Sequence, residues 1–167
     1  MSAIDQIRLI VYFVDRAVFV SLVKGDQLGI TKRTENAAKD LIVMIRSLLE
    51  ENLLTLNLVG EIGFLSGPSS FTTTRIVTAT CLGLSLGRKT KVYQLELEDV
   101  IHSIEKYSKK PILTRINQNL FYLYEDNQWK LMDHIPEDLD YIIYDHYLDI
   151  SQGLINLLNK INKVQAN

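Results

Sequence analysis

The chain has 167 residues, with 47% hydrophobic and 23% charged residues and a formal net charge of −2. That is enough for one domain with a sizeable core, or one domain and a short appendage, and the composition is that of a globular protein rather than a disordered one. The charge excludes an electrostatic case for direct nucleic-acid binding, the single cysteine excludes an internal disulfide, no run reaches the roughly 18 apolar residues of a spanning helix, and residues 1–8 lack the pattern of a signal peptide. The expectation is a soluble, cytoplasmic protein without a membrane role.

Residues 7–14 predict a strand buried on both faces, because they are almost continuously apolar. A tight connection at Asp15-Arg16 leads to a second strand over 17–24, and a turn at Gly25-Asp26 to a third over 28–33. Such short connections make antiparallel pairs. The next segment, 35–52, predicts a helix capped by Thr34 or Asn36. Its apolar positions are Ala37, Ala38, Leu41, Ile42, Met44, Ile45, Leu48 and Leu49. At about 100° per residue they span roughly 160°, more than the roughly 100° stripe of a one-sided helix. Val43 adds a further apolar side chain, while Lys39, Arg46 and Glu50 mark the solvent side.

A strand over 61–66 precedes Gly67-Pro68-Ser69-Ser70-Phe71-Thr72, a turn of small polar residues that opens a helix over 72–86. A helix start of this kind presents free N–H groups and can bind an anion, with Gly67, Ser69, Ser70 and Thr72 as the candidate residues; capping by the hydroxyls is the simpler reading. Apart from Arg75 this helix is apolar or small all round, so it is expected to be covered on every side. A strand over 91–95 and a helix over 97–107 follow, and this alternation predicts parallel pairing. Beyond Lys109-Lys110-Pro111, short strands are expected at 112–116, 120–124, 129–132 and 141–144, with a hairpin turn at Asp126-Asn127. An amphipathic helix over 150–164 closes the chain, with Leu154, Leu157, Leu158, Ile161 and Val164 inward. The division is an N-terminal domain over 1–108 and a shortened C-terminal segment over 109–167.

No catalytic constellation is legible. Phe71 occupies the second glycine of a nucleophile elbow, and no acid is placed beside His102, His134 or His146. The turn lacks the second glycine and the lysine of a P-loop. Asp145, His146 and Asp149 are too few for a metal centre, so no metal site is assigned. Phe121, Tyr122, Tyr124 and Trp129 lack the basic surround of a base-stacking platform and read as hairpin packing. The lysines at 106, 109 and 110 and the cluster Arg88, Lys89, Lys91 read as solvated turns, and Cys81 as a buried small hydrophobe. Two neighbouring helices with surplus apolar surface instead predict a protein interface, unless the chain's own C-terminal segment covers them.

The motif resembles a family signature. Gly-Pro-Gly-Ser-Phe-Thr-Gly-x-Arg-Ile-Gly marks the bacterial TsaB proteins, and this chain matches it at Gly67, Pro68, Ser70, Phe71, Thr72, Arg75 and Ile76. Ala79, Thr80, Gly83 and Leu84 are similar to the Ala-Thr-x-x-Gly-Leu that follows, and residues 97–101 to the family's Leu-Glu-Ala-Leu helix start. The resemblance covers residues 5–108. It implies an α/β, actin-like (ribonuclease-H-like) ATPase fold, with a mixed first sheet, flanking helices and a reduced second domain. It also implies a non-catalytic dimerisation subunit of the complex that forms threonylcarbamoyladenosine in tRNA, a partner of the catalytic TsaD subunit and of a TsaE-like ATPase, meeting tRNA only through the complex. The family's dimer contact uses both helices of the first domain, here implying Ala38, Leu41, Ile42, Ile45, Leu49, Thr72, Arg75, Ile76, Ala79 and Gly83. Alone, the chain can pair with a second copy through the same helices.

Arg16 stands where the family has a small hydroxyl after the first strand, with Asp15 retained. Ser69, Thr73 and Val77 replace motif glycines, so the backbone approaches a ligand less closely, and Leu82 replaces a frequent lysine. The chain is also shorter than is usual for the family. These changes spare the apolar helix surface, so the expectation is a divergent assembly subunit with no cofactor. The alternative is a nucleotide-binding enzyme of the same fold, holding ATP or ADP with Mg at the 67–72 turn.

Overall fold

The central strand, β1 (Ile7–Val14), pairs antiparallel with β2 (Ala17–Lys24) on one side and parallel with β4 (Val59–Leu65) on the other. The computed structural model describes residues 6–14, 16–68, 70–115, 118–144 and 147–166. β3 (Gln27–Thr34) extends the sheet beyond β2, and β5 (Lys91–Leu95) lies parallel beyond β4, giving the order β3-β2-β1-β4-β5. Leu9 to Phe13 are all buried, as expected of a strand covered on both faces.

Both covers can be traced through the register. Val11 pairs with Val20, and Val20 with Lys32, so these side chains share one face. Lys32 Nζ donates to Ser47 Oγ at 2.9 Å and Glu51 Oε1 at 2.6 Å, which fixes α1 (Ala37–Glu51) over that face. Asn36 caps α1, its side chain accepting from the Lys39 N–H at 3.3 Å. Thr34, the other candidate, accepts from the Asn36 N–H at 2.9 Å and donates to Asp40. α2 (Phe71–Ser85) lies beside α1 against β4 and β5.

The opposite face carries Arg8, Tyr12, Glu61 and Gly63, and α4 (Tyr147–Ala166) covers it. There Ser151 Oγ donates to the Tyr12 hydroxyl at 2.9 Å and Arg8 to Asn159 Oδ1 at 2.8 Å. The closing helix therefore returns to the first sheet, although its sequence neighbours belong to a second one. It lies on the face away from α1 and α2, so the described part of the C-terminal segment does not bury their outward side.

α3 (Leu97–His102) is shorter than the expected 97–107. Ser103 Oγ donates to the Val100 carbonyl at 2.6 Å and approaches that of Gly153 at 3.2 Å, a local bond that competes with helix continuation. A single 3-10 turn over Glu105–Tyr107 follows.

The second sheet has the order β8-β7-β6-β9, from β6 (Ile112–Arg115), β7 (Phe121–Glu125), β8 (Gln128–Met132) and the short β9 (Ile142–Ile143). Asp126 and Asn127 both adopt positive φ, 53° and 62°, as a two-residue hairpin turn requires. One face, with Ile112, Tyr124, Trp129 and Ile142, joins the main core. The other, with Leu113, Phe121 and Leu123, packs under Met132, Ile135, Leu139 and Tyr141. Among the described residues, Trp129 Nε1 donates to Glu98 Oε2 of α3 at 3.1 Å, and the buried Tyr144 hydroxyl, just after β9, donates to the Phe13 carbonyl of β1.

Candidate functional site

Two surfaces stand out, and both involve the 67–72 motif. The first is the outward face of α1 and α2. α2 buries only Val77 and Cys81 completely. Thr72, Arg75, Ala79, Leu82, Gly83 and Leu86 are exposed, and at helical spacing they form one stripe. Leu82 is 50% and Leu86 75% exposed. On α1, Ala38, Ile42 and Val43 are exposed, Ile42 by 55% and Val43 by 63%. A helix expected to be covered all round is thus open on one side.

The predicted interface set divides in three. Ala38, Ile42, Thr72, Arg75, Ala79 and Gly83 lie on the open side, whereas Ile76 is half-buried against the core. Leu41, Ile45 and Leu49 are buried against the chain's own sheet and are unavailable to a partner. The resemblance assigns whole helices to the contact, and helical spacing does not correct it, because the wide apolar arc of α1 serves two surfaces at once. Val43, Leu82 and Leu86 take the places of the three leucine and isoleucine positions.

The second surface is a cleft of about 340 Å³ between the two sheets. It opens at the carboxyl ends of β1 and β4, where the strand order reverses, the usual ligand position in open α/β sheets. Arg16 and Phe13 come from the end of β1 and its turn, and Glu35 precedes α1. Pro68, Ser70 and Thr73 come from the motif, and Thr114, Arg115, Tyr122 and Tyr144 from the second sheet. Gly67 adopts a φ of 146°, open to glycine, and the Gly67–Pro68 peptide is cis. Of the predicted turn set only Ser70 lines the cleft among the described residues; Gly67 and Thr72 do not, and Ser69 and the Asp15 retained after β1 lie outside those residues. Ser70 Oγ accepts from the Thr73 N–H at 3.1 Å and donates to Thr73 Oγ1 at 2.8 Å, so the serine caps the helix.

Burial, and then the neighbouring Tyr12, push the Tyr144 phenol well above 10.0, so it stays a neutral donor. His134 has an acid beside it after all: Nδ1 lies 2.7 Å from Asp133 Oδ1. Hydrogen bonding to His134 holds Asp133 below the usual carboxylate range. The pair is exposed and does not line the cleft, and neither does His102, whose Nε2 meets the Lys110 carbonyl at 2.9 Å. His146 and Asp145, and the side chain of Asp149, lie outside the described residues; among those described, no group of three or more His, Cys, Asp or Glu converges. The 109–110 lysines share their groove with Glu125 and Asp126, and Lys110 pairs with Asp140 at 3.7 Å, as solvated turn residues do. No helix among the described residues is long and apolar enough to cross a membrane.

No protein-family model and no curated protein matches the sequence. Solved structures do. YeaZ from Pseudomonas aeruginosa is similar at 19% identity with a TM-score of 0.58, over 76% of this chain and 64% of that one. An uncharacterized protein with similarity to peptidase YEAZ, from Pseudomonas aeruginosa, is similar at 19% identity with a TM-score of 0.59, over 76% of this chain and 63% of that one. The chain therefore spans less than two thirds of the length of these structures. With the strand order β3-β2-β1-β4-β5 and the helices on both faces, these likenesses show the fold of this chain to be the actin-like, ribonuclease-H-like one.

Proposed function

We propose that this protein is a TsaB-like, non-catalytic assembly subunit that binds and stabilises a TsaD-like catalytic partner in threonylcarbamoyladenosine formation on tRNA. The observation that carries the reading is the open face of α1 and α2. Ile42, Val43, Leu82 and Leu86 are at least half exposed there beside Ala79 and Gly83, which are small enough for a partner helix to approach closely. YeaZ, the fold neighbour, is a TsaB homologue. The Gly-Pro-x-Ser-Phe-Thr motif leads directly into this helix. Contact with a TsaE-like ATPase and with tRNA would then come through the assembled complex, in the cytoplasm.

Co-expression with the TsaD of the same genome, followed by size-exclusion chromatography with light scattering, tests the reading. A stable one-to-one complex is expected. A Cβ at Gly83 meets nothing within 4 Å, so Gly83→Glu places a charge on the open face without disturbing the fold. It should abolish the complex, as should Ala79→Glu. Leu131→Glu alters an exposed apolar residue on β8, away from both helices, and should leave the complex intact. Normal complex formation by both α2 variants would overturn the assignment. A concentration-dependent dimer of the chain alone, lost in Gly83→Glu, would instead assign the face to self-association.

A further inference from the structure

The apolar patch on the outward side of α1 and α2 carries a rim of one sign. Lys39, Arg46 and Arg75 are exposed there. Lys39 and Arg46 lie within one helical turn of Ile42 and Val43, and Arg75 within about one turn of Thr72 and Ala79 in the α2 stripe. None of the three has an ion pair or a side-chain hydrogen bond among the described residues, and every residue next to them in the chain is described. The Arg75 guanidinium lies over the Phe71 ring, 5.1 Å from its centroid, and that ring is 75% exposed, so the contact holds the charge at the patch without matching it. α2 carries no carboxylate. The acids of α1 and its approach are engaged on other sides: Glu35 accepts from Arg33 Nη2 at 2.8 Å, Asp40 from the buried Thr34 hydroxyl at 2.8 Å, and Glu51 from Lys32 Nζ at 2.6 Å. Glu50 is the one exposed carboxylate on the outward side of α1 without such a partner among the described residues. The outward side is thus basic in a chain whose formal net charge is −2.

Exposed cations on a helix are ordinary. These three flank Ile42, Val43, Leu82 and Leu86, and an apolar centre with a charged rim is the anatomy of a protein interface. Rim charges select the partner and set how fast it docks. We infer that the protein docking on this face presents an apolar helical surface rimmed by carboxylates, which meet Lys39, Arg46 and Arg75. The inference rests on the assembly reading above and adds to it the chemistry of the partner's face. A second copy lacks that chemistry, because two-fold pairing sets the same patch against itself and brings cations to cations. A nucleic-acid backbone would answer the cations but leave Ile42, Val43, Leu82 and Leu86 without apolar cover.

The test is the association rate of the full chain with the TsaD of the same genome, measured at about 50 and about 500 mM salt. The higher salt should slow association by about tenfold or more. Lys39→Glu, Arg46→Glu and Arg75→Glu should each slow it by about threefold or more at low salt, with unchanged circular dichroism, whereas Glu50→Lys should speed it. A gain in rate from Glu50→Lys is a result that lost packing does not produce. A complex whose rate of formation ignores salt and the three reversals overturns the inference and leaves the assembly reading standing, as does slower association in Glu50→Lys. No complex at all overturns the assembly reading and this inference with it. The chain alone is also offered to vesicles of phosphatidylserine with phosphatidylcholine and to bulk tRNA. Binding to either that is tighter than to TsaD, and is lost in the three reversals, would assign the cations to lipid or nucleic acid and overturn the inference.

Discussion

Gly153 and Gly83 are both helical glycines with opposite surroundings. A Cβ on Gly153 would lie 2.4 Å from the Val100 carbonyl oxygen, so α3 and α4 touch only because the side chain is absent. Gly153→Ala should cost about 1–3 kcal/mol, seen as a lower urea midpoint at unchanged slope. Gly83→Ala meets open space and should stabilise by about 0.5–1 kcal/mol through helix propensity. Arg8 is 1% exposed at the heart of the α4 contact, with Asn159, the Gly25 carbonyl, Asp26 and, 3.9 Å away, Glu61 as partners. Its Nε has none. Arg8→Ala would leave the charge of Glu61, itself 3% exposed, without its cation and facing the neutral Asn162 amide at 3.3 Å, and should cost about 3–5 kcal/mol. Replacing the pair together, as Arg8→Met with Glu61→Leu, should cost clearly less, which a double-mutant cycle by urea unfolding measures. Neither burial is legible from residue type: Arg8 is the one charged residue in a strand otherwise apolar enough to be covered on both faces, and Glu61 stands at the start of the strand expected over 61–66.

At the scale of elements, α2 shows what periodicity reads well and where it stops. Its lack of a polar face is plain from composition, and the structure divides that surface between Val77 and Cys81 inward and the Thr72-to-Leu86 stripe outward. Burial pushes the Cys81 thiol from its ordinary 9.0 up to about 12. The folded state therefore keeps its proton after the unfolded chain has lost it. Stability from this group is intact below pH 9.0 and falls as pH rises from there towards 12. A thiol reagent at pH 8 should leave the native chain unlabelled and label it fully in urea; fast native labelling would mean that α2 does not sit on the sheet as described. At the other end of the layer, Asn36→Ala removes the cap of α1 and should cost about 1 kcal/mol. The choice between Thr34 and Asn36 was open in the sequence because both side chains reach the helix start. The structure uses both, Asn36 on α1 and Thr34 on Asn36 itself.

For the molecule as a whole, α4 is the closing piece of the first domain rather than part of the second. Leu154, Ile155 and Leu158 are buried, and Leu158 packs over Gly63 at a distance that a Cβ there would reduce to 3.0 Å. A chain ending after residue 144 exposes that face of the five-stranded sheet, including Arg8 and Glu61. It should lose cooperative thermal unfolding and bind a hydrophobic dye, whereas a truncation that left a sharp transition would show α4 to be dispensable. The boundary expected at 108 does separate the two sheets, but it does not separate two cores, because Ile112, Tyr144 and Leu154 share a single cluster with β1.

The sequence by itself determined the strands and helices of the first half in order, the antiparallel-then-parallel change at β4, the hairpin at Asp126-Asn127 and the apolar character of α2. Those features are local: they follow from side-chain alternation along a strand, the helical repeat and turn chemistry, all readable within a few residues. Only the tertiary structure decided that Leu41, Ile45 and Leu49 face inward, that α4 crosses back to the far side of the sheet, and that Arg16 and Arg115 share a cleft. Each of these joins residues distant in the chain, and their meeting depends on how whole layers pack, which no local period encodes.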